Sequence, residues 1–530
     1  MINKTNSRTC LLGLFCLGIL LSASHLCAQQ TAPDQTAPDQ TQAGTSPASA
    51  SESDTPITTF KVRTDLVLVP VVVRDKQGKH ASGLTKDAFR LEENGKDQDI
   101  SLFEEVQAPI KDVPSQVVDR GYSNLPFDNT RQLRLTIIVL DLLNTTMLQR
   151  EDAKEQLVKF LSKGLAGDQP ISLLCLTSKD LQLVQPFTSD TSVLIASLKK
   201  LSLGSPRIMP RRNAAEKTLR QLTEIAQGYI GIPGRKSMIF AAGDIPEPSL
   251  ERAVYPSDLV PSDAFHETFK NLIDANIAIY PFAIMDWAKN PAFDRRRTNY
   301  RQVASNQSLL EFADATGGNP CNESNNMMKC FAEAVEDSRS YYMLGFTVRS
   351  ADRKPGWRNL KVKVTGQVDI RARNGFFYGK PMPVNPTSVH DAEINALASS
   401  LAYSAVPMYV RVMSPAPGAS VGAAIPGKKA TVEFMVTIPL AGIRIDSAMP
   451  NPLNLEIGAI AITPETTEAG EFMHSVHGNP KADVLRQFAR DGIKLHEKLD
   501  LPLGTYDVRF MVRDNNADQI GTVVFPLEVK

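Results

Sequence analysis

The segment Leu135-Thr136-Ile137-Ile138-Val139-Leu140-Asp141 constrains this chain more than any other. A run that is apolar on both alternating faces is out of place on a half-solvated sheet, so it predicts a central strand covered on both sides. It ends on a carboxylate, and Leu142-Leu143-Asn144-Thr145-Thr146 lead directly into a helical pattern. In an open α/β sheet this is where ligands are held, outside the carboxyl ends of the strands.

The residues that follow keep the same rhythm. Glu151 to Lys163 places Ala153, Leu157, Val158 and Leu161 on one helical face and stops at Gly164, a C-terminal cap. Apolar runs at Ile171 to Leu176, Ser237 to Ala241 and Ile277 to Phe282 alternate with helical patterns at Thr191 to Leu201, Ala214 to Gln227 and Phe265 to Ala275. The alternation predicts an α/β fold, a doubly wound and mostly parallel sheet with helices on both faces. Leu309 to Ala315 and Phe331 to Asp337 add helices, Tyr341 to Thr347 a strand, and Leu360 to Val364 with Asp369 to Arg373 a closing hairpin, so this domain spans 131–378.

The flanks differ in texture. Residues 59–107 carry short β-rich runs broken by Gly and Asn, which predicts a small β domain. Residues 108–130, with Pro109, Pro114 and Pro126, read as a linker. From 387 to 530 the β pattern returns at Met408 to Val412, Ala430 to Thr437, Leu455 to Ile462, Thr505 to Arg513 and Thr522 to Val529. The turn before Tyr506 has the form found in immunoglobulin-like folds, and a β-sandwich is the simplest expectation.

At the N-terminus Lys4 and Arg8 precede an apolar stretch from Leu11 to Leu21 and then small and polar residues. This predicts a signal peptide over 1–28, with cleavage between Ala23 and Ala28. An uncleaved anchor is the weaker alternative because the stretch is short for a bilayer, and a lipidated Cys27 fits poorly behind Leu26. Residues 29–58, with their repeated Thr-Ala-Pro-Asp-Gln, read as a disordered linker. The chain is therefore expected to be exported, whether periplasmic, cell-surface or secreted, with no membrane span after cleavage.

Lys plus Arg and Asp plus Glu number 58 each, so no global field draws the chain to nucleic acid. Once the leader is gone, Cys175, Cys321 and Cys330 remain. Cys175 lies in an apolar run and reads as a buried hydrophobe. Cys321 and Cys330 flank a polar loop, where an exported protein forms a disulfide; the alternative of a metal pair lacks a nearby histidine.

Catalytic signatures are missing. The seven histidines are scattered, with His474-Ser475-Val476-His477 the only close pair. No Gly-x-Ser-x-Gly elbow, His-Glu-x-x-His helix or Gly-x-x-x-x-Gly-Lys loop occurs. The expectation is a non-enzymatic protein, with a hydrolase assembled from distant residues as an outlying class.

Three stretches carry a resemblance: Thr64 to Asp75 with Gly83 to Phe89, Asp141 to Thr145, and Asp337 to Phe346. Across roughly residues 60 to 378 the chain resembles the von Willebrand factor A-related proteins of the acidobacterial type, a family without an established biochemical activity. Von Willebrand A domains in general are doubly wound and bind protein ligands, often through a divalent cation at the strand ends. Their metal loop has the form Asp-x-Ser-x-Ser, completed by a Thr and an Asp from two later loops.

The resemblance thus implies Asp141, Thr145 and Asp244 as ligands of Mg2+ or another divalent cation, with Leu143 in place of the first serine. Asn144 lies one residue out of register, and Ser205 or Asn213 would have to stand in for the later threonine; these three form a ligand-binding rim. Thr146-x-x-Gln149 also has the form of a capping box, and with one oxygen lost the site is equally readable as metal-free. The expected function is adhesion-type recognition of a protein or cell-envelope ligand at the strand-end face. The alternative is a metal-free structural component of a cell-envelope assembly. The sequence specifies no oligomeric state.

Overall fold

A computed structural model describes residues 66–107, 121–125, 134–163, 169–203, 209–243, 262–283, 308–321, 327–348, 355–366, 368–379, 386–414 and 429–530. All of them lie in one unit, Arg63–Lys530; the expected leader and the 29–58 linker lie outside the described residues. The elements in order are β1 (Leu66–Arg74), β2 (Phe89–Glu93), β3 (Lys96–Gln98), β4 (Leu102–Gln107), β5 (Tyr122–Ser123), β6 (Leu135–Asp141), α1 (Met147–Ser162), β7 (Ile171–Leu176), β8 (Leu181–Thr188), α2 (Thr191–Lys200) and α3 (Arg211–Tyr229). Then come β9 (Lys236–Ala242), α4 (Ser262–Asp274), β10 (Ile277–Ala283), α5 (308–316), α6 (Met327–Asp337), β11 (Ser340–Thr347), β12 (Gly356–Val364), β13 (Asp369–Arg371), β14 (Gly375–Tyr378) and α7 (Pro386–Ala398). The last are β15 (Tyr409–Ser414), β16 (Lys429–Ile438), β17 (Leu453–Ile462), β18 (Glu468–Gly478), α8 (Ala482–Asp491), β19 (Ile493–Pro502), β20 (Gly504–Asp514) and β21 (Gln519–Val529).

Every residue of β6 is buried, because it is the middle strand of the sheet β10-β9-β6-β7-β8. β10, β9, β6 and β7 run parallel, and β8 closes one edge antiparallel to β7. Ile137 and Val139 pack with Leu222 and Ile225 of α3, Phe269 of α4 and Phe312 of α5. Ile138 and Leu140 pack on the other face with Leu157 of α1, Leu198 of α2 and Phe331 of α6. Burying each such side chain contributes about 1.5–3 kcal/mol, and the hydroxyl of Thr136 within the run is satisfied by the Gln169 amide at 2.6 Å. The other four sheets among the described residues are antiparallel.

The hydrogen bonding crosses the boundaries read from sequence. β1 and β4 pair with β11, Val69 opposite Leu344 and Val106 opposite Tyr341, while β2 pairs with β12. Residues 66–107 and 340–378 thus build one two-sheet unit around Val71, Leu91, Leu344 and Phe346. The α/β layers of 134–337 are inserted into it. The physical reason is that β1 and β4 alone leave unpaired backbone edges, and β11 fills the gap between them. β12 and β13 are correspondingly not a closing hairpin: β13 pairs with β1, and β12 lies in the other sheet between β2 and β14.

The C-terminal strands form sheets β19-β16-β15-β5 and β18-β17-β20-β21 around Phe434, Phe510 and Phe525. Tyr506 donates its hydroxyl to the Pro502 carbonyl at 2.7 Å, fixing a strand corner as in sandwich folds. β5 comes from the segment expected to be a linker. Its neighbour Asn124 explains this: the buried amide donates to the carbonyls of Tyr403 at 2.7 Å and Val406 at 2.8 Å and accepts from the Met408 amide at 3.0 Å. One short polar side chain therefore fastens 121–125 to the sandwich.

Candidate functional site

The strand-end face is built by the turn between β6 and α1. Thr146 caps the helix: its hydroxyl accepts from the Gln149 amide at 3.3 Å, and the Gln149 carboxamide accepts from the Thr146 amide at 2.7 Å. Thr145 is drawn inward, donating to the Asp141 carbonyl at 2.5 Å. Beside the turn, just after β9, Gly243 comes so close that a Cβ there would lie 2.1 Å from the Asn144 carbonyl oxygen. Only glycine permits that approach.

Asp141 is fully buried at the centre. One carboxylate oxygen accepts from the amides of Leu143 at 2.8 Å and Asn144 at 3.1 Å. The other accepts from the Asn144 side-chain Nδ2 at 2.7 Å, and the same nitrogen donates to Thr218 Oγ1 of α3 at 2.8 Å. The reverse setting of this amide would face oxygen against a carboxylate, so the network itself fixes the NH2 inward. Burial pushes the Asp141 carboxyl up from its ordinary value, against the hydrogen bonds of Asn144 and Leu143 and the charge of Arg150.

Arg150 of α1 is buried in the same turn. It donates to Thr145 Oγ1 at 3.3 Å, to the Leu203 carbonyl at 2.8 Å and to the Leu142 carbonyl. Burial lowers this guanidinium and Asp141 raises it, the first effect being the larger.

Among the described residues, which leave out Ser205 and Asp244, the donor set as arranged does not fit a divalent cation. Magnesium asks for oxygen lone pairs in an octahedron at about 2.0–2.1 Å. Here Leu143 offers a hydrocarbon packed against the core. Asn144 directs N–H bonds into the gap between Asp141 and Thr218. The Thr145 hydroxyl is spent on its own strand and on Arg150. Among the described residues no cluster of three or more His, Cys, Asp or Glu side chains stands in metal-holding geometry.

Of the expected ligands and rim residues, Asp141, Thr145 and Asn144 come together, whereas the ligand Asp244 and the rim residue Ser205 lie outside the described residues. Asn213 is exposed in the first turn of α3, which starts at Arg211 behind Pro210, ahead of the start that the Asn213-x-x-Glu216 pattern suggested. Cys321 and Cys330 are joined by a disulfide, their Cα atoms 5.6 Å apart.

Sequence reading did not reach Thr218 and Arg150. A threonine inside a helix carries no signal, and the burial of Arg150 shows only in the structure: it is 5% exposed while Leu148, two residues earlier, is 65% exposed. An amphipathic helix that shows its leucine and hides its arginine is inverted there. A second buried polar cluster also escaped it. Asp337 accepts from Arg74 Nε at 2.8 Å, Arg371 Nη1 at 2.7 Å and the Tyr280 hydroxyl at 2.6 Å. Arg235 donates to the Asp337 carbonyl at 3.1 Å. Burial works to lower the Arg371 guanidinium, yet Asp337 and Glu333 outweigh it and hold it above its ordinary value.

No protein-family model matches the sequence, and no curated protein aligns with it significantly. Among solved structures, an aerotolerance-related membrane protein from Bacteroides fragilis aligns over 38% of this chain and 97% of its own, at 15% identity and a TM-score of 0.25. Proximal thread matrix protein 1 from the mussel byssus aligns over 39% of this chain and 47% of its own, at 7% identity and a TM-score of 0.24. Similarities this low carry nothing about function. No helix among the described residues is long and apolar enough to cross a membrane.

Proposed function

We propose that this is an exported, non-enzymatic binding protein whose doubly wound, von Willebrand A-like domain recognises a protein or cell-envelope partner at its strand-end face. The observation that supports this reading is the inverted first turn of α1. Met147 is 42% and Leu148 65% exposed, on a turn held from beneath by Asp141, Asn144 and Arg150. The buried Arg150 is explained by the turn it holds, whereas the exposed leucine adds nothing to stability. A rigid apolar knob at a strand-end site is what a docking partner needs, since large apolar anchors dominate binding energy.

The test is crosslinking in the producing cell. Wild type should give a discrete adduct that falls at least about tenfold in Leu148→Asp, as expected for a central apolar anchor. It should persist in Lys159→Asp, a change at the exposed far end of α1. An adduct that survives Leu148→Asp would remove the strand-end face from the proposal. The alternative, a metal-free structural component of a cell-envelope assembly, draws on the same self-satisfied turn; a stable oligomer of the purified chain, indifferent to Leu148→Asp, would favour it.

A further inference from the structure

We infer that the Asn144 carboxamide stands where a cation would and takes over its bridging role, so that the strand-end site is independent of divalent ions. A metal at this place would tie the carboxylate at the end of β6 to an oxygen of a neighbouring element. Asn144 Nδ2 makes that same bridge, from Asp141 Oδ2 at 2.7 Å to Thr218 Oγ1 at 2.8 Å. One nitrogen with two N–H bonds links β6 to α3 through the Asp141 carboxylate and the Thr218 hydroxyl.

The charge is replaced as well. The Arg150 guanidinium, held by Thr145 Oγ1 and two carbonyls, lies in the same buried turn. Among the described residues the turn sets one guanidinium beside the single carboxylate of Asp141, and an incoming dication would gain little attraction there for the dehydration it undergoes. Leu143 completes the substitution, filling with hydrocarbon the position from which a serine would reach inward. The amide, the guanidinium and the leucine together keep the turn in one conformation without an ion.

The full chain tests this by thermal unfolding in chelator and in millimolar magnesium, manganese and calcium. Wild type should melt at the same temperature in all four. Asn144→Ala should melt lower and remain indifferent to ions, because the bridge is gone and no oxygen replaces it. Asn144→Asp puts a second carboxylate beside Asp141 and Thr218, and should gain a saturable, ion-dependent rise of about 2 °C or more.

A saturable rise in wild type overturns the inference outright, whether or not either variant folds. So does an Asn144→Ala variant as stable as wild type, or a folded Asn144→Asp that ignores all three ions. Metal-independent capture of a partner would rest on the function proposed above, but these melting temperatures do not, so the two readings fail separately.

Discussion

Asp141 and Asp337 are each 1% exposed in the same α/β layers, and they are satisfied in opposite ways. Asp141 is wrapped by its own turn: its donors Leu143 and Asn144 stand two and three residues on. Asp337 is wrapped by the rest of the molecule, with Arg371 at a separation of 34 residues, Tyr280 at 57 and Arg74 at 263. The local arrangement shapes a surface loop. The remote one holds two layers of the molecule together, since Arg74 ends β1 and Arg371 ends β13 while Asp337 ends α6.

The comparison is broken most directly at Asp337. Asp337→Asn leaves Arg74 and Arg371 buried with only the half-buried Glu333 as counter-charge, and should cost about 3–5 kcal/mol in urea unfolding. Asp141→Asn should cost less, about 1–3 kcal/mol, because it sets one amide nitrogen against that of Asn144 while sparing the backbone donors. Reversed order in the two midpoints would mean that the turn, and not the remote cluster, is the structural keystone.

Lys236 sharpens the contrast through its pH dependence. It is buried with its Nζ on the carbonyls of Ile232 at 2.6 Å and Gly234 at 3.0 Å, and burial pushes its ammonium down to about 7. From about 7 up to the ordinary 10.5 the unfolded chain holds a proton that the folded chain has shed. Stability from this group therefore rises with pH across that window and is lost as pH falls back through about 7. Lys236→Met should abolish that climb, read as unfolding midpoints between pH 7 and 10, so that the two chains differ most at pH 7 and the difference shrinks as pH rises. An unchanged slope would show that Lys236 stays charged on its carbonyls.

How much of this was legible in the sequence follows the same division. β6 could be read because burial on both faces writes itself as an unbroken apolar run. β8 could not: Leu181–Thr188 is an edge strand, half-buried, with Pro186 inside it. At the site, Asp141 was marked by its place at a strand end and Thr146 by its spacing to Gln149, both local signals. Thr218 reaches the turn only through tertiary packing, and nothing in its neighbourhood announces it. The β1–β11 pairing was hidden for the same reason, since an edge needs a partner but does not say which.

The insertion of one set of layers into another also sets an order in time. Synthesis delivers residues 66–107 first, yet Leu66 has no partner until Thr347 exists, and Tyr122 waits for Val410. Early strands of this kind stay open while the intervening chain is made, which slows folding and exposes sticky edges to neighbouring molecules. A chain ended after Asp337 would hold the α/β layers but leave its first strands permanently unfinished, so the beginning of this protein is completed only by its later half.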